Sequence, residues 1–257
     1  NSLLKSENPM IIIGMGALIQ KDGFEIMYKL RELAEKTGVV KKGWNGFNIL
    51  HYAAGRTGAL DVGFLPGKKG LGAKNICEAS ERGDIDFVWL LGVDNHLVSK
   101  LKNSFVVYQG HHGDLGANIA DVILPGAAYT EKNATYVNTE GRVQQASMAT
   151  FPLGEAKEDW SIIRALSDAI GHPLPYDSLE QVRERMTEVN PIFASVGDIL
   201  PGQWVKFGKN GILNSSPFQP VIENFYMTDT ISRASVTMAE CSATSTEDHI
   251  QRSPNNV

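Results

Sequence analysis

Apolar residues fall along this chain in two alternating patterns, short continuous runs and helical stripes. The first run, "PMIIIGMGAL" (9–18), predicts a strand ending in Gly14-Met15-Gly16. Phe24, Met27, Leu30 and Ala34, with Ile26 and Leu33, then recur at helical spacing. Asp22 is the expected cap of that helix, Glu25 stands at capping-box distance, and Gly38 ends it. "GFNILHYAAG" holds a short second strand. Residues 38–75, with nine glycines, read as an irregular connection.

"NICEASERGD" predicts a short helix capped by Asn75 and closed by Gly83. It feeds "IDFVWLLGVD", whose near-continuous apolar character fits a strand covered on both faces. "SFVVYQG" and "NIADVILPG" are two more strands. The period then changes to two: Tyr136 and Val137 on one side and Val143 on the other flank Asn138-Thr139-Glu140-Gly141, a hairpin with glycine in its turn. Trp160, Ile163, Leu166 and Ile170 mark a helix ended by Gly171 and Pro173, and Ser178 with Gln181 opens another. From Asn190 the pattern weakens, apart from an amphipathic piece, "DTISRASVTMAEC". The expected fold is α/β, a Rossmann-like and mostly parallel sheet with a β-hairpin and a helical C-terminal extension. The expected domains are 1–175 for the α/β layer, 176–240 for a helical and irregular extension, and 241–257 for a disordered polar tail.

Composition narrows the function. Residues 1–110 carry 14 basic and 11 acidic side chains, and the remainder carries 10 and 18. An acidic second half, with no basic cluster interleaved with aromatics, argues against nucleic acid as a partner. No apolar run is long enough to insert in a bilayer. The two cysteines, Cys77 and Cys241, exclude a disulfide framework and are too few for an iron–sulfur cluster of four thiolates built from this chain alone. The chain opens on "NSLLKSENPM", which reads as processed, truncated or part of a longer polypeptide.

Candidate chemistry is sparse. Gly14 and Gly16 resemble a phosphate-cradling turn, but the dinucleotide fingerprint wants a third small residue where Ile19 stands. A plain tight turn is the better reading. His111-His112 with Asp114 suggests a metal site, yet neighbours in an extended segment point to opposite faces, so loop histidines bonded to local backbone are expected. A Gly-x-Ser-x-Gly elbow is absent. Asp94, beyond a strand end, is either a ligand group or an Asx turn. Around the hairpin, Glu131, Asn138, Glu140 and Arg142 have no reactive partner. If buried they must pair through a Glu–Arg bridge and Asn–backbone bonds, so a structural role is expected for them.

The stretch "ADVILPGAAYTEKNATYVNTEGRVQQ" resembles a segment of the molybdopterin oxidoreductase superfamily, which includes formate dehydrogenases and nitrate reductases. "IIIGMGAL", "YQGHHGDLGANIADVILPG", "EDWSIIRALS", "LPYDSLEQVRERM" and "FYMTDTISRAS" resemble more closely the C-terminal half of the large iron–sulfur subunit family of respiratory complex I. The resemblance covers nearly the whole chain and is weakest over 38–75 and 190–220. It implies a scaffold that has lost its molybdenum cofactor, with iron–sulfur clusters in a Cys-rich N-terminal half or a separate chain. It implies the other peripheral-arm subunits as partners, on the matrix side of the mitochondrial inner membrane. Asp121, Pro125, Glu131, Asn138, Glu140 and Arg142 are then structural, and Gly14, Gly16, Asp94 and Asn138 are candidates for a relic pocket. Where cofactor-binding relatives carry a Thr-rich run, this chain has "GDLGAN" (113–118). The alternatives are a fragment of an active molybdopterin-dependent oxidoreductase and an independent nucleotide-binding protein.

Overall fold

The apolar runs form strands. A computed structural model describes residues 2–93, 96–215, 217, 220, 222 and 224–251. The chain packs as two units interleaved along the sequence. One comprises Asn1–Phe64, Thr135–Ala146 and Glu180–Val221, the other Leu65–Ala134, Ser147–Leu179 and Ile222–Val257. Its α/β class, with parallel sheets, is the expected one.

In the first unit β1 (Ile11–Gly14) pairs in parallel with β4 (Phe47–Leu50), from Ile11 opposite Phe47 to Gly14 opposite Leu50. Between them lie the helix Gly23–Thr37 and the antiparallel pair β2 (Val40–Lys41) and β3 (Trp44–Asn45). Gly38 closes the helix at φ +73°, its N–H donating to the Ala34 carbonyl. Asp22 stands at the helix start, but its side chain makes no capping bond. The carboxylate is buried and accepts instead from the Asn214 N–H at 2.6 Å. The glycine-rich stretch is more ordered than expected, for β2, β3, β4 and a helix Arg56–Asp61 all fall within it. Phe47, Trp204 and Phe207 gather with ring centroids 5.0–5.5 Å apart. Arg31 lies over the Phe207 ring and donates to its carbonyl at 2.9 Å, fixing a segment whose own sequence predicts little.

The hairpin forms from β8 (Ala134–Val137) and β9 (Val143–Ala146), with Gly141 at φ +87° in its turn. Val137 and Val143 are buried with Phe193, against Val62, Met186 and Ile192. The helix Leu179–Val189 and a 3-10 turn Pro191–Ala194 bring Phe193 there. Asn190 holds the turn, accepting from the Ile192 N–H at 3.2 Å and donating to the Asp61 carbonyl at 3.0 Å.

The second unit is built on β5 (Phe87–Leu91), β6 (Phe105–Gly110) and β7 (Val122–Pro125), all parallel in that order. Leu90, Val106 and Tyr108 pack under Cys77, Val98 and Leu101. Cys77 lies on the helix Ala73–Arg82, which starts after Gly72. Asn75 is therefore inside the first turn and not its cap. Gly72, extended at ψ 162°, takes the capping position. β6 is buried over Val106–Gln109, but Phe87 and Leu91 of β5 are half exposed, so the double cover expected of β5 is incomplete. The helix Asp159–Ala169 ends ahead of Gly171 at φ +76°. Asp229 caps the helix Thr230–Ala234, and a further helix runs Val236–Gln251. That helix takes in residues 242–251, where the composition predicts a disordered tail. Good helix formers over 238–240 start it, and the Asn224 amide donates to the Ser242 hydroxyl at 2.5 Å. Residues 252–257 of the expected tail lie outside the described residues.

A Cβ at Gly38 would meet open space, so Gly38→Ala carries only the conformational cost of the left-handed region. Thermal or urea unfolding should show a loss of about 1–2 kcal/mol. An unchanged midpoint would mean that the cap does not hold its φ.

Candidate functional site

Two places combine polar side chains with the carboxyl ends of parallel strands, where open α/β sheets commonly bind ligands. The first is a cavity of about 260 Å³ in the first unit, lined by His51, Ala53, Ala54, Thr57, Tyr136, Val137, Asn138, Thr139 and Gln144. His51 directly follows β4, and the hairpin supplies the opposite wall. The His51 Nδ1 is buried without a hydrogen-bond partner. Burial first, and then the Arg56 guanidinium, hold its imidazole below the usual range, so it is neutral at pH 7. The lining offers an imidazole, three hydroxyls and two amides, without a carboxylate or thiol. It has polar groups to orient a small molecule and no acid–base or nucleophile–base pair.

The hairpin residues singled out in the sequence come together here, and their polar atoms are engaged within the turn. The Asn138 Oδ1 accepts from the Glu140 and Arg142 N–H groups at 3.1 and 3.0 Å, and its Nδ2 donates to Glu140 at 3.3 Å. Arg142 Nε donates to Glu140 at 2.8 Å, and Nη1 to the Gly197 carbonyl. The Arg142 contact, followed by Asn138, pulls the Glu140 carboxyl below the usual carboxylate range. The Glu–Arg bridge thus exists, but it is half exposed rather than buried, with Arg142 at 35% and Glu140 at 48%. The turn projects its charged tips into water while Val137 and Val143 point inward.

The second place is in the other unit, at the ends of β6 and β7. Gln109, fully buried, donates from Nε2 to Asp159 Oδ1 at 2.8 Å, and its Oε1 is buried without a partner. Lys132 pairs with the other Asp159 oxygen. One residue before Asp159, Glu158 accepts from the Asn133 N–H at 3.0 Å and from Trp160 Nε1 at 2.6 Å. A Cβ on Gly126 would stand 3.1 Å from Asp159 Oδ1, so the chain leaving Pro125 passes close under this carboxylate. Glu131 accepts from the Ala128 N–H at 3.0 Å, and Asp121 accepts from the Val106 N–H at 2.7 Å. Pro125 closes β7 opposite Gly110, its carbonyl accepting from Lys157. Asp121, Pro125 and Glu131 therefore sit apart from Asn138, Glu140 and Arg142, in the other unit.

Sequence reasoning missed Gln109, Lys132, Glu158 and Asp159 as one cluster. The available signal was Gln109, a lone amide at the end of an apolar strand. Its partner Asp159 is 50 residues away, and nothing local announces it. The histidine pair differs from expectation too. His111 and His112 lie in a bend after β6 rather than in an extended segment, and their Nδ1 atoms approach to 2.9 Å. Burial first, and then His112 and Lys132, hold the His111 imidazole below its ordinary range. Asp114 is turned to other work: it accepts from the Leu115 N–H at 2.7 Å and pairs with Arg233 at 2.5 Å. Asp94 lies outside the described residues.

Gly14 ends β1, and Gly16 lies in the short helix Met15–Leu18, where its carbonyl accepts from Gln20. They form no phosphate-cradling loop. The described residues do not fit a molybdopterin. The cavity is smaller than the roughly 300–1,000 Å³ of drug-sized ligand sites. The Asn138 amide is committed to its own turn, and no group of three His, Cys, Asp or Glu side chains among the described residues is placed to hold a metal ion.

The parallel sheets carrying polar groups at their carboxyl ends place the chain among the cofactor-type α/β oxidoreductase folds. The model of the molybdopterin oxidoreductase family matches residues 1–169, and the chain belongs to that family. A second model, that of a C-terminal region of NADH-ubiquinone oxidoreductase, matches residues 202–241. The chain is 45% identical over 246 residues to the NADH-ubiquinone oxidoreductase 75 kDa subunit of Reclinomonas americana, covering 94% of this chain and 35% of that protein. It is 44% identical to the mitochondrial 78 kDa subunit of Neurospora crassa, covering 94% and 33%. With an NADH-quinone oxidoreductase subunit of Rickettsia bellii it shares 41% identity, covering 93% and 34%. The chain spans about a third of the length of these curated relatives. Among solved structures it is similar to acetylene hydratase from Pelobacter acetylenicus, at 20% identity and a TM-score of 0.39, covering 52% of this chain and 22% of that one.

Two outcomes follow. Gln109→Ala strands Asp159 in a buried setting and should cost about 1–3 kcal/mol in urea unfolding, with Gln109→Glu worse because it sets two carboxylates together. A neutral Gln109→Ala would show that the cluster contributes nothing. His51, with its folded pKa depressed, stabilises the fold fully above its unfolded value, and that contribution fades as pH falls from about 6.5 toward the folded value. Its NMR titration should lie below that of a free imidazole. A midpoint at or above the free value would contradict the buried, unpartnered geometry.

Proposed function

We propose that this chain is a structural, non-catalytic segment of the large iron–sulfur subunit of respiratory complex I, in the peripheral arm on the matrix side of the mitochondrial inner membrane. On this reading it supports electron transfer from NADH to ubiquinone without holding a redox centre itself. The iron–sulfur clusters belong to a Cys-rich N-terminal half of the subunit or to a separate chain, and the segment binds no molybdenum. Its partners are that Cys-rich half and the neighbouring peripheral-arm subunits, and it neither inserts in the membrane nor binds nucleic acid.

The observation that carries the reading is the match at residues 202–241 to a family named for the C-terminal part of NADH-ubiquinone oxidoreductase. It supports a particular branch of the molybdopterin oxidoreductases, whose common model matches only 1–169. The side chains agree with a scaffold. Asp121, Glu131 and Asn138 spend their oxygens on backbone N–H groups, and Glu140 and Arg142 spend their charges on each other and on a carbonyl. With Pro125, these are the residues proposed to keep the α/β layer of 1–175 in shape. Gly14, Gly16, Asp94 and Asn138 are at most remnants of a former pocket.

Affinity purification of the native chain should bring down an iron–sulfur protein and NADH:ubiquinone activity, and a chain recovered without either would refute the reading. Arg142→Ala should lower the amount of assembled complex and its thermal midpoint by a few degrees, leaving the electron-transfer rate per assembled complex unchanged. The bridge is half exposed, so the loss falls short of what a stranded buried charge would bring. Normal assembly with slowed transfer would give Arg142 a catalytic part and end the scaffold account.

A further inference from the structure

The β1–β4 pair is an unfinished sheet. Among the described residues neither strand has another strand neighbour. Two parallel strands of four residues are too few to stand alone, and parallel sheets are otherwise covered on both faces. One face of this pair is covered, where Phe47 meets Trp204 and Phe207. The other exposes Met10 at 49%, Ile12 at 60% and Leu50 at 55%.

The two free edges are not alike. Within a parallel strand the N–H and C=O of one residue point to the same side, and those of the next point away. Ile11 donates to Gly46, which turns Ile11 and Ile13 toward β4 and Ile12 outward. On β4 the outward residues are Phe47 and Ile49, and the Phe47 N–H is already taken by the Asn45 side chain at 3.0 Å. That side chain blunts the β4 edge as a bulge or charge blunts edges elsewhere. The β1 edge has no such cap: it is "MIII", without a charge or proline.

We infer that the outer edge of β1 takes up a further strand in the same sheet, contributed by the part of the subunit that lies outside these 257 residues. This rests on the proposed membership in the large iron–sulfur subunit. The relatives carry about two thirds of their length beyond the region matched here, which supplies the polypeptide. A segment tethered in the same subunit meets the edge at a high effective concentration, which favours it over a second copy or a free partner. Its backbone completes the ladder through Ile12, and its apolar side chains extend the surface of Met10, Ile12 and Leu50.

The test uses the assembled native complex, with a photo-reactive benzoylphenylalanine in place of Met10. Irradiation and peptide mass spectrometry should find the adduct on the same subunit, outside residues 1–257. Ile12→Pro removes the outward donor without touching a β1–β4 bond, and should abolish that adduct. Asn45→Ala, which frees only the opposite edge, should leave it unchanged. An adduct on another subunit or on a second copy of this chain overturns the inference, as does the lack of any adduct in an assembled complex. Should Ile12→Pro keep the chain from assembling, the identity of the adduct without that substitution decides. A chain that never enters the complex refutes the large-subunit reading, and the inference falls with it.

Discussion

A single buried amide organises the carboxyl end of the three-stranded sheet. Gln109 is the last side chain of β6 wholly withdrawn from water, and it reaches Asp159 at the start of a helix 50 residues on. Asp159 in turn holds Lys132, and its neighbour Glu158 holds Asn133 and Trp160. Backbone bonds from Lys157 to Pro125 and from Ala127 to Lys157 run alongside. The chain leaving β7 is thereby stapled to the helix before it enters the hairpin. Breaking a buried pair of this kind leaves a group with neither water nor partner, which costs more than the pair itself contributes. The stretch can therefore be polar without being reactive.

Much of this fold was legible from periodicity. The runs at 11–14, 47–50, 87–91, 105–110 and 122–125 became strands, and the alternation about Asn138–Gly141 became a hairpin. What escaped the sequence depends on distant partners. Asp22 has the spacing of a helix cap, yet a backbone N–H from residue 214 claims its carboxylate. The glycine-rich connection gains short strands because β1 stands ready to pair with β4. Segment 190–210 is placed by Phe193, Trp204 and Phe207 inserting between other elements, which no local pattern predicts.

The candidate sites were legible in a different measure. Asn138, Glu140 and Arg142 were seen as a unit because they share one turn, although the bridge proved half exposed. Glu131 and Asp121 stand close to them in sequence and serve the other unit. The histidine pair was misjudged because the backbone bends at 111–112. Gly14 and Gly16 looked like a phosphate turn, but Gly16 has entered a helix. The cavity at His51 retains the position of a ligand pocket, at a strand end facing a hairpin, while its best amide is spent on the turn beside it. That combination fits a frame retained after its reactive contents were lost.

The central claim, a family member proposed to serve as scaffold without its family's metal, is tested most directly by elemental analysis. Molybdenum and iron should be measured together, per mole of this chain, in the complex purified through it from native membranes. The account predicts iron at the stoichiometry of several clusters and molybdenum at background. Molybdenum approaching one atom per chain would contradict it.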